Sequence, residues 1–441
     1  MKAHATPFFV PIMSLYRIDK AMNIHKILGG IIMKKVLGVM LAVAMTAVMV
    51  AGCGSSSSDS AAGSSESAGS SASAVTAEDI KIGVIYIGDE NEGYTASHMQ
   101  GIADMAEALG ISEDQIIEKT TIPEDESCYD AAVDLADQGC NIVFGTSFGH
   151  EDYLIQAAEE FPDVQFCHAT GYQAATSGLD NMHNYFDNIY EARYVSGVVA
   201  GMKLQSMIDA GDITADAAKI GYVGAFPYAE VISGYTSFYL GVKSECESAT
   251  MEVKYTNSWA DSSLEAETAS ALISDGCVLI SQHADTTGAP TSCEAAGVPC
   301  VGYNVDMTSV APTTALTSPT NNWSVYYEYA VQCVLDGTPI DVDWSKGFAD
   351  EAVSLTKLGD ACVEGTETKA QETEAAISDG SLHVFDTSTF TVDGKSLEDL
   401  IEEGGDYAKY ADYVSDGYFH ESEIASAPAF DIVIDGITSA E

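Results

Sequence analysis

One short segment has the spacing of a catalytic motif. Gly145-Thr-Ser-Phe-Gly149 matches the G-x-S-x-G nucleophile elbow and lies between a predicted strand and a predicted helix, as that motif requires. A serine hydrolase would use Ser147 as its nucleophile, but it also needs an oxyanion loop, and no HGGG-type segment occurs in the sequence. Hydrolysis by Ser147 is therefore kept only as an alternative, and we predict that the chain is not an enzyme.

Aromatic side chains recur where predicted strands end. They are Tyr94, Phe148, Phe226, Trp259 and Trp323. The carboxyl ends of parallel strands meet at one edge of a sheet, and open α/β sheets hold their ligands at that edge. Aromatic faces flanking a slot favour a flat ring, and stacking contributes about 1–3 kcal/mol per base. The sequence therefore predicts a site for a small flat molecule.

Acidic, amide and imidazole side chains follow the same strands. They are Asp152, His283, Asp285, Asn304 and Asp306. Such groups can pair with ring N–H donors or with sugar hydroxyls. Asp261 lies among them, but Ser262 and Glu265 have the spacing of a capping box and predict a helix that begins there. An acid just before a helix has a structural explanation, so Asp261 is not assigned to the ligand.

The elements that must position these residues occur twice. Four strand-like segments recur in the same order, as Ile80–Ile87 with Ala218–Phe226, Ile116–Thr121 with Met251–Thr256, Ala136–Phe144 with Ile273–Ile280, and Phe161–Cys167 with Ala296–Val301. A repeated strand–helix order at a nearly constant separation indicates two copies of one βαβ unit. We therefore predict an α/β protein of two Rossmann-like lobes, joined by a hinge, with a ligand cleft between them.

The expected domain boundaries follow from this repeat. We assign lobe 1 to residues 79–187, with about 308–337 crossing back to it, and lobe 2 to residues 188–307 plus about 338–380. Residues 381–441 form a C-terminal extension that packs on the lobes, with short predicted strands at 383–385 and 389–392 and a helix at 396–403.

The N-terminus has the features of an export signal. A basic start at Met33 is followed by an apolar run of signal-peptide length, and Val50-Ala51-Gly52-Cys53 resembles a bacterial lipobox. We predict a leader and signal peptide over 1–52, lipidation of Cys53, and a disordered tether over 53–78 that is rich in serine, alanine and glycine. The folded part would be extracytoplasmic, anchored to the outer face of the cell membrane.

Charge and missing motifs exclude several functions. The chain has 67 acidic and 18 basic residues, a formal net charge of −49, which repels nucleic acid. The ten cysteines include no CxxC pair, and no G-x-G-x-x-G, Walker A, HExxH or EF-hand sequence occurs. We predict no cofactor and no metal.

Seven segments occur in an order typical of a known family. They are Gly88–Thr95, Glu191–Gly197, Ala225–Ile232, Asn257–Asp261, Ser281–Asp285, Gly302–Asp306 and Asn322–Tyr327. Together they resemble the basic-membrane-protein family of bacterial substrate-binding lipoproteins, which serve ABC importers. The resemblance implies the type I periplasmic-binding-protein fold, an ABC permease as partner, a monomer, and a purine as ligand. It further implies that Tyr94 and Trp259 sandwich the purine, that Asp152 contacts its edge, and that Asn304 and Asp306 lie where the family contacts ribose.

Two departures from the family pattern bear on the ligand. Thr317–Trp323 lacks the usual lysine, and the loop Asn91–Thr95 is altered. Both changes remove groups that would hold a ribose, so the resemblance favours a nucleobase such as adenine over a nucleoside. Without the lysine, His283 and Asp285 become the main candidates for the polar edge of the site. Riboflavin or a sugar is the alternative ligand.

Overall fold

The computed structural model describes residues 75–439. The predicted leader, the lipidation site Cys53 and residues 53–74 of the predicted tether lie outside the described residues. Residues 75–78 were assigned to the tether, and that boundary is wrong. Val75 packs against the apolar core, and the Gln115 side chain donates hydrogen bonds to the carbonyls of Ala77 (2.9 Å) and Ile80 (2.8 Å).

The first lobe is built on a six-stranded sheet with the order β11-β5-β4-β3-β1-β2, in which β11 is the later strand Asp343–Trp344. Its first five strands are β1 (Ile82–Ile85), β2 (Ile116–Lys119), β3 (Ile142–Gly145), β4 (Gln165–Ala169) and β5 (Met182–Tyr185). Its helices are α1 (Gly93–Leu109), α2 (Glu126–Asp137), α3 (Glu151–Glu160) and the short α4 (Ala174–Ser177). All pairings are parallel, and β1 and β3 are buried throughout, as continuous apolar runs covered by helices on both faces should be.

The second lobe is built on a five-stranded parallel sheet with the order β15-β7-β6-β8-β9, in which β15 is Ile437–Ser439 of the C-terminal extension. Four of its strands are β6 (Lys219–Gly224), β7 (Thr250–Tyr255), β8 (Leu279–Gln282) and β9 (Cys300–Val301). Its helices are α5 (Ile189–Ala210), α6 (Ala229–Glu245), α7 (Ser262–Ser274) and α8 (Gly288–Ala296). Glycines allow α5 and α6 to approach closely, since a Cβ on Gly197 would lie 2.0 Å from the Phe238 carbonyl oxygen.

The two sheets confirm the predicted duplication. The order β2-β1-β3-β4 in the first lobe matches β7-β6-β8-β9 in the second. Each pair of equivalent strands comes from one of the repeated sequence segments. The loops after equivalent strands therefore emerge at equivalent sheet edges.

The chain after β9 crosses between the lobes. It forms β10 (Pro319–Asn321), α9 (Ser324–Asp336), β11 (Asp343–Trp344) and β12 (Val353–Leu355), and β12 pairs antiparallel with β10. Helix α9 packs against α1 of the first lobe, as expected. Residues 338–380 were expected in lobe 2, but β11 pairs with β5 in the first sheet, where Trp344 is buried against Tyr326 with ring centroids 5.0 Å apart. The later helix α10 (Thr366–Ser378) packs on α5 of the second lobe.

The C-terminal extension contributes to the second lobe. It contains α11 (Leu397–Glu403), a small hairpin of β13 (Val414–Ser415) and β14 (Tyr418–Phe419), and β15 (Ile437–Ser439), which pairs with β7. The helix predicted at 396–403 is confirmed, with Ser396 as its N-cap. The strands predicted at 383–385 and 389–392 do not form. Phe385 instead stacks on Phe430 at 4.3 Å, because these apolar runs fill a core.

Two further features of residues 75–439 concern predicted properties. Eight of the nine cysteines in this range are buried and one is partly buried, which agrees with their interpretation as small apolar core residues. Within the same range, no helix combines the length and the apolar character that crossing a membrane requires.

Candidate ligand-binding cleft

A cavity of about 660 Å³ lies between the facing edges of the two sheets. Loops after β1, β3 and β4 line it from the first lobe with Tyr94, Thr146, Ser147, Phe148 and Tyr172. Loops after β6, β7, β8 and β9 line it from the second with Tyr228, Glu230, Trp259, His283, Asp285 and Tyr303. Loops at the carboxyl ends of two parallel sheets thus converge on one space, the usual place for a ligand in α/β folds.

Five of the ten residues that the sequence suggested line this cavity. They are Tyr94, Phe148, Trp259, His283 and Asp285. Tyr94, at the start of α1, is fixed by a hydrogen bond that its hydroxyl donates to the Thr146 carbonyl (2.8 Å) and by edge contact with His98 (4.5 Å). The aromatic wall of the first lobe is thereby held rigidly.

Trp259 lines the cavity from the second lobe. It lies in the loop between β7 and α7, where Phe226 contacts it edge-on at 5.0 Å and Tyr228 at 6.0 Å. Its indole Nε1 is buried without a hydrogen-bond partner among residues 75–439. A buried donor without a partner is costly and is commonly satisfied by a ligand or water.

The other five suggested residues do not line the cavity. Phe226 lies behind it and stacks on Tyr228 at 5.1 Å. Asp152, in the first turn of α3, accepts a hydrogen bond from Gln173 (2.7 Å) instead of facing the cleft. Phe226 and Asp152 both follow strands as predicted. The side chain of Asp152, however, is part of the first turn of α3 and pairs with Gln173 of its own lobe.

The remaining three line a separate, smaller recess of about 350 Å³ near the crossing segments. Trp323 is fully buried and stacks on His98 at 4.0 Å, because the following helix packs on α1. Asp306 caps a short 3-10 turn by accepting from the Thr308 amide (2.8 Å). Asn304, in the left-handed region at φ 59°, accepts a hydrogen bond from Asn321 (3.3 Å).

The polar pole of the cavity centres on His283. Its Nε2 lies 2.5 Å from a carboxylate oxygen of Glu230. Burial, helped by the nearby Arg193, lowers the pKa of His283 to about 4 although Glu230 opposes that shift. The imidazole is therefore neutral at neutral pH, and the pair is a hydrogen bond from Nε2–H to the carboxylate.

Arg193, which was not predicted as a site residue, lies behind the lining residues His283 and Tyr303. It is fully buried in α5, donates to the Tyr222 hydroxyl (2.8 Å) and the Gln282 carbonyl (2.7 Å), and lies 3.8 Å over the Tyr303 ring. Its presence in the family-like segment Glu191–Gly197 was the only signal in the sequence. Arg193 fixes the loop that carries His283 and the ring of Tyr303.

Asp285 joins the two lobes. Its carbonyl oxygen accepts a hydrogen bond from the Gly93 amide of the first lobe (2.8 Å). Burial raises the pKa of its carboxyl well above the usual range, and nearby Glu92, Glu265 and Glu230 add to the rise. Burial therefore favours the protonated form of this carboxyl, which can donate a hydrogen bond as well as accept one.

Ser147 lines the cavity without the partners of a catalytic serine. Its hydroxyl donates to Glu124 (2.6 Å), while His168 contacts the Ser147 carbonyl oxygen (2.6 Å) and His150 faces its amide (3.4 Å). A serine nucleophile needs an imidazole base on its hydroxyl. The observed bonds shape the loop after β3 and do not activate the serine.

The C-terminal extension also lines the cavity, which the sequence did not suggest. Its lining residues are Lys409, Tyr410, Tyr413, Ala425, Ala427, Pro428 and Ala429. Tyr172, Tyr228, Glu230 and Tyr303 were likewise missed. The last three lie inside segments that carried the family resemblance, which was the available signal.

Comparison with known proteins agrees with this architecture. Residues 80–384 match the family model described as ABC transporter substrate-binding protein PnrA-like, of the Bmp family. A purine-binding protein of Brucella abortus is 35% identical over 315 residues, covering 71% of this chain and 85% of that protein. A putative ABC transporter glucose-binding protein of Haloferax volcanii is 30% identical over 328 residues, covering 74% and 78%.

Solved structures agree on the fold. An ABC transporter solute-binding protein from Aeropyrum pernix superposes with a TM-score of 0.59 at 16% identity, over 74% of this chain and 96% of that one. One from Conexibacter woesei gives 0.55 at 19% identity, over 69% and 98%. The fold is the type I fold of periplasmic solute-binding proteins. The matched family consists of substrate-binding proteins of ABC transporters, which are not enzymes. The chain belongs to the Bmp family of ABC transporter substrate-binding proteins.

Proposed function

We propose that this protein binds a purine in the cleft between its lobes, favours a nucleobase such as adenine over a nucleoside, and delivers it to an ABC permease. The observation that carries the proposal is that one cavity is lined by an aromatic ring from each lobe, Tyr94 and Trp259, and by the hydrogen-bonding groups of His283, Glu230 and Asp285. Flat π-faces suit a purine ring, while imidazole and carboxyl groups can meet both donors and acceptors on its edge.

The preference for a base over a nucleoside rests on the residues that would contact a ribose, which do not line this cavity in the described part of the chain. Asn304 and Asp306, which the resemblance would assign to ribose, line the separate recess near Trp323. The segment Thr317–Trp323 has no lysine. The relative from Brucella abortus is named as a purine-binding protein, which supports the ligand class.

A sugar is the second candidate ligand. The relative from Haloferax volcanii is named as a putative glucose-binding protein, and the hydrogen-bonding groups at Glu230, His283 and Asp285 could pair with hydroxyls. The aromatic lining at Tyr94, Phe148 and Trp259 favours the purine, because it offers several ring faces and few additional polar groups.

We further propose that Cys53 is lipidated and holds the protein, as a monomer, at the outer face of the cell membrane. The lipobox-like segment Val50–Cys53 supports this proposal. Metabolic labelling with a fatty-acid analogue should mark the wild-type protein and leave Cys53→Ala unmarked. Equal labelling of both proteins would contradict the assignment.

Isothermal titration calorimetry tests the ligand proposal directly. The panel is adenine, guanine, hypoxanthine, adenosine, inosine, riboflavin, glucose and ribose. We expect a purine base to bind more tightly than its nucleoside and more tightly than either sugar. Binding of glucose or ribose without binding of any purine would sink the proposal.

A further inference from the structure

We infer that the C-terminal extension builds an outer aromatic subsite beside the purine site, so that the preferred ligand is a purine carrying an apolar aromatic substituent. This inference rests on the proposed purine function. We assign the subsite to Tyr410 and Tyr413 of the extension together with Phe148, Tyr172 and Tyr228 of the two lobes. All five line the same cavity, and the ring centroid of Phe148 lies 6.4 Å from that of Tyr172 and 5.3 Å from that of Tyr228. Tyr410 and Tyr413 lie beyond residues 80–384, which match the family model.

The extension is held as a fixed wall of the cavity. The buried Glu421 accepts hydrogen bonds from the Ser233 hydroxyl of α6 (2.6 Å) and from the amides of Ala429 (2.9 Å) and Phe430 (3.0 Å). The Ser426 amide donates to the side chain of Asp343, which belongs to the first sheet (2.9 Å). The segment is thereby tied to both lobes, so its lining residues keep their positions.

Three aromatic rings of the two lobes that line the cavity are partly exposed. Phe148 is 38% exposed, Tyr172 58% and Tyr228 40%, and Phe148 of the first lobe stacks on Tyr228 of the second at 5.3 Å. Seven large hydrophobic side chains are exposed within residues 75–439, and these three line the same cavity. Apolar side chains gathered in a concave surface mark a place where an apolar group binds.

The charges around this end exclude an anionic substituent such as a phosphate. Among the described residues that line the cavity, Lys409 is the only lysine or arginine. Its ammonium is paired with Asp431 (2.7 Å) and lies 4.7 Å from the centre of the Tyr410 ring. Glu230 lines the same cavity, and the whole chain carries a formal net charge of −49. A phosphate would meet repulsion here without a free cation.

A sugar substituent also fits this wall poorly. In addition to Tyr410 and Tyr413, the extension lines the cavity with the apolar side chains of Ala425, Ala427, Pro428 and Ala429. These side chains offer no hydrogen bonds to hydroxyls, and a hydroxyl that loses water without a new partner costs free energy. An aromatic ring, by contrast, would gain stacking partners and buried apolar area.

The size of the cavity agrees with a second group on the ligand. Its volume of about 660 Å³ lies within the roughly 300–1,000 Å³ range of pockets that enclose drug-sized ligands. A bare nucleobase is much smaller than such ligands. It would fill the space between Tyr94 and Trp259 and leave the outer end unoccupied.

Calorimetry of the full chain with adenine, adenosine, N6-benzyladenine and 9-benzyladenine tests the inference. We expect at least one benzyl isomer to bind about tenfold more tightly than adenine, with no comparable gain for adenosine. Adenine binding with no gain for either benzyl isomer overturns the outer subsite and leaves the purine proposal standing. No binding of any of the four compounds overturns both.

Variants localise the gain. Tyr413→Ala in the extension and Tyr172→Ala in the first lobe should each weaken binding of the benzyl compound by roughly threefold to tenfold more than they weaken binding of adenine. Tyr418→Ala is the matched control, because Tyr418 lies in the extension and stacks on His383 outside the cavity. Equal losses for adenine and the benzyl compound, or the same loss in the control, would overturn the assignment to these rings.

Discussion

At the scale of single residues, Trp259 has the clearest expected effect on binding. It lines the cavity from the second lobe, where its ring contacts Phe226 behind it and Tyr228 beside it in the lining. Loss of one stacking face costs about 1–3 kcal/mol, so Trp259→Ala should weaken adenine binding roughly fivefold to 150-fold in calorimetry. Trp259→Phe keeps an aromatic face and should retain most of the affinity. Unchanged affinity in the alanine variant would remove Trp259 from the site.

Glu265 should make stability depend on pH. It is fully buried beneath Thr286, and burial, with repulsion from Glu92, raises the pKa of its carboxyl to about 7. Because the folded state holds this proton more tightly than the unfolded state, the stability associated with the protonated form is complete below about pH 4.5. It is lost as pH rises towards 7.

Glu265→Gln should therefore gain on the order of 2 kcal/mol in free energy of unfolding relative to wild type at pH 8, with the difference disappearing near pH 4.5. Urea unfolding at both pH values measures it. Glu267→Gln is the control, since Glu267 is exposed on the same helix and should show no such pH-dependent gain. A Glu265→Gln difference that is the same at both pH values would contradict the predicted titration.

The sequence predicts which residues lie in the loops at the cleft better than it predicts where their side chains point. Tyr94, Trp259 and His283 follow strands whose order fixes where their loops emerge, so their position at the cleft followed from the duplicated pattern. Trp323 also follows a strand. The helix that begins after it packs on α1, however, and its ring is buried against His98. Such orientation depends on tertiary packing, which a single sequence does not display.

At the scale of elements, helix α7 shows how a boundary can shift by one residue. The sequence suggested Ser262 as the cap, but the side chain of Asp261 accepts from the amides of Ser263 (3.1 Å) and Leu264 (3.0 Å). Both residues are good caps, and the backbone conformation of Asp261 is extended while Ser262 is already helical.

Asp261→Ala should therefore destabilise the protein by about 1 kcal/mol, measured by urea unfolding. Ser262→Ala is the matched control and should change the free energy of unfolding by less than about 0.5 kcal/mol. If the serine variant loses more stability than the aspartate variant, the cap is Ser262 after all.

The elements that the sequence did not reveal are short and pair over long distances. Strand β11 has two residues, Asp343 and Trp344, and it joins β5 from more than a hundred positions away. Strand β15 completes the second sheet from the end of the chain in the same way. Neither is long enough to show alternation, so only the partner strand identifies them. The lining role of the extension was missed for the same reason.

At the scale of the whole molecule, the duplication was predictable because it rests on four repeated strands. The amide of Gly93 and the carbonyl of Asp285 then connect the two copies directly. Hinged lobes of this kind close around a ligand, and a contact present only in the closed form adds to apparent affinity. We therefore expect the free protein to populate an open form in which this hydrogen bond is absent. Small-angle X-ray scattering should show a smaller radius of gyration when adenine is saturating.

Gly93→Ala tests whether this contact belongs to closure. A Cβ at Gly93 would lie 3.1 Å from the Asp285 carbonyl oxygen and 3.5 Å from Val305. The added methyl group would therefore oppose the close approach of the two lobes. The variant should bind adenine roughly tenfold more weakly, since a less populated closed form lowers apparent affinity, and it should show reduced compaction on binding. Gln100→Ala, an exposed change on the same helix, should behave as wild type. Full affinity and full compaction in Gly93→Ala would show that the lobes close without this close approach.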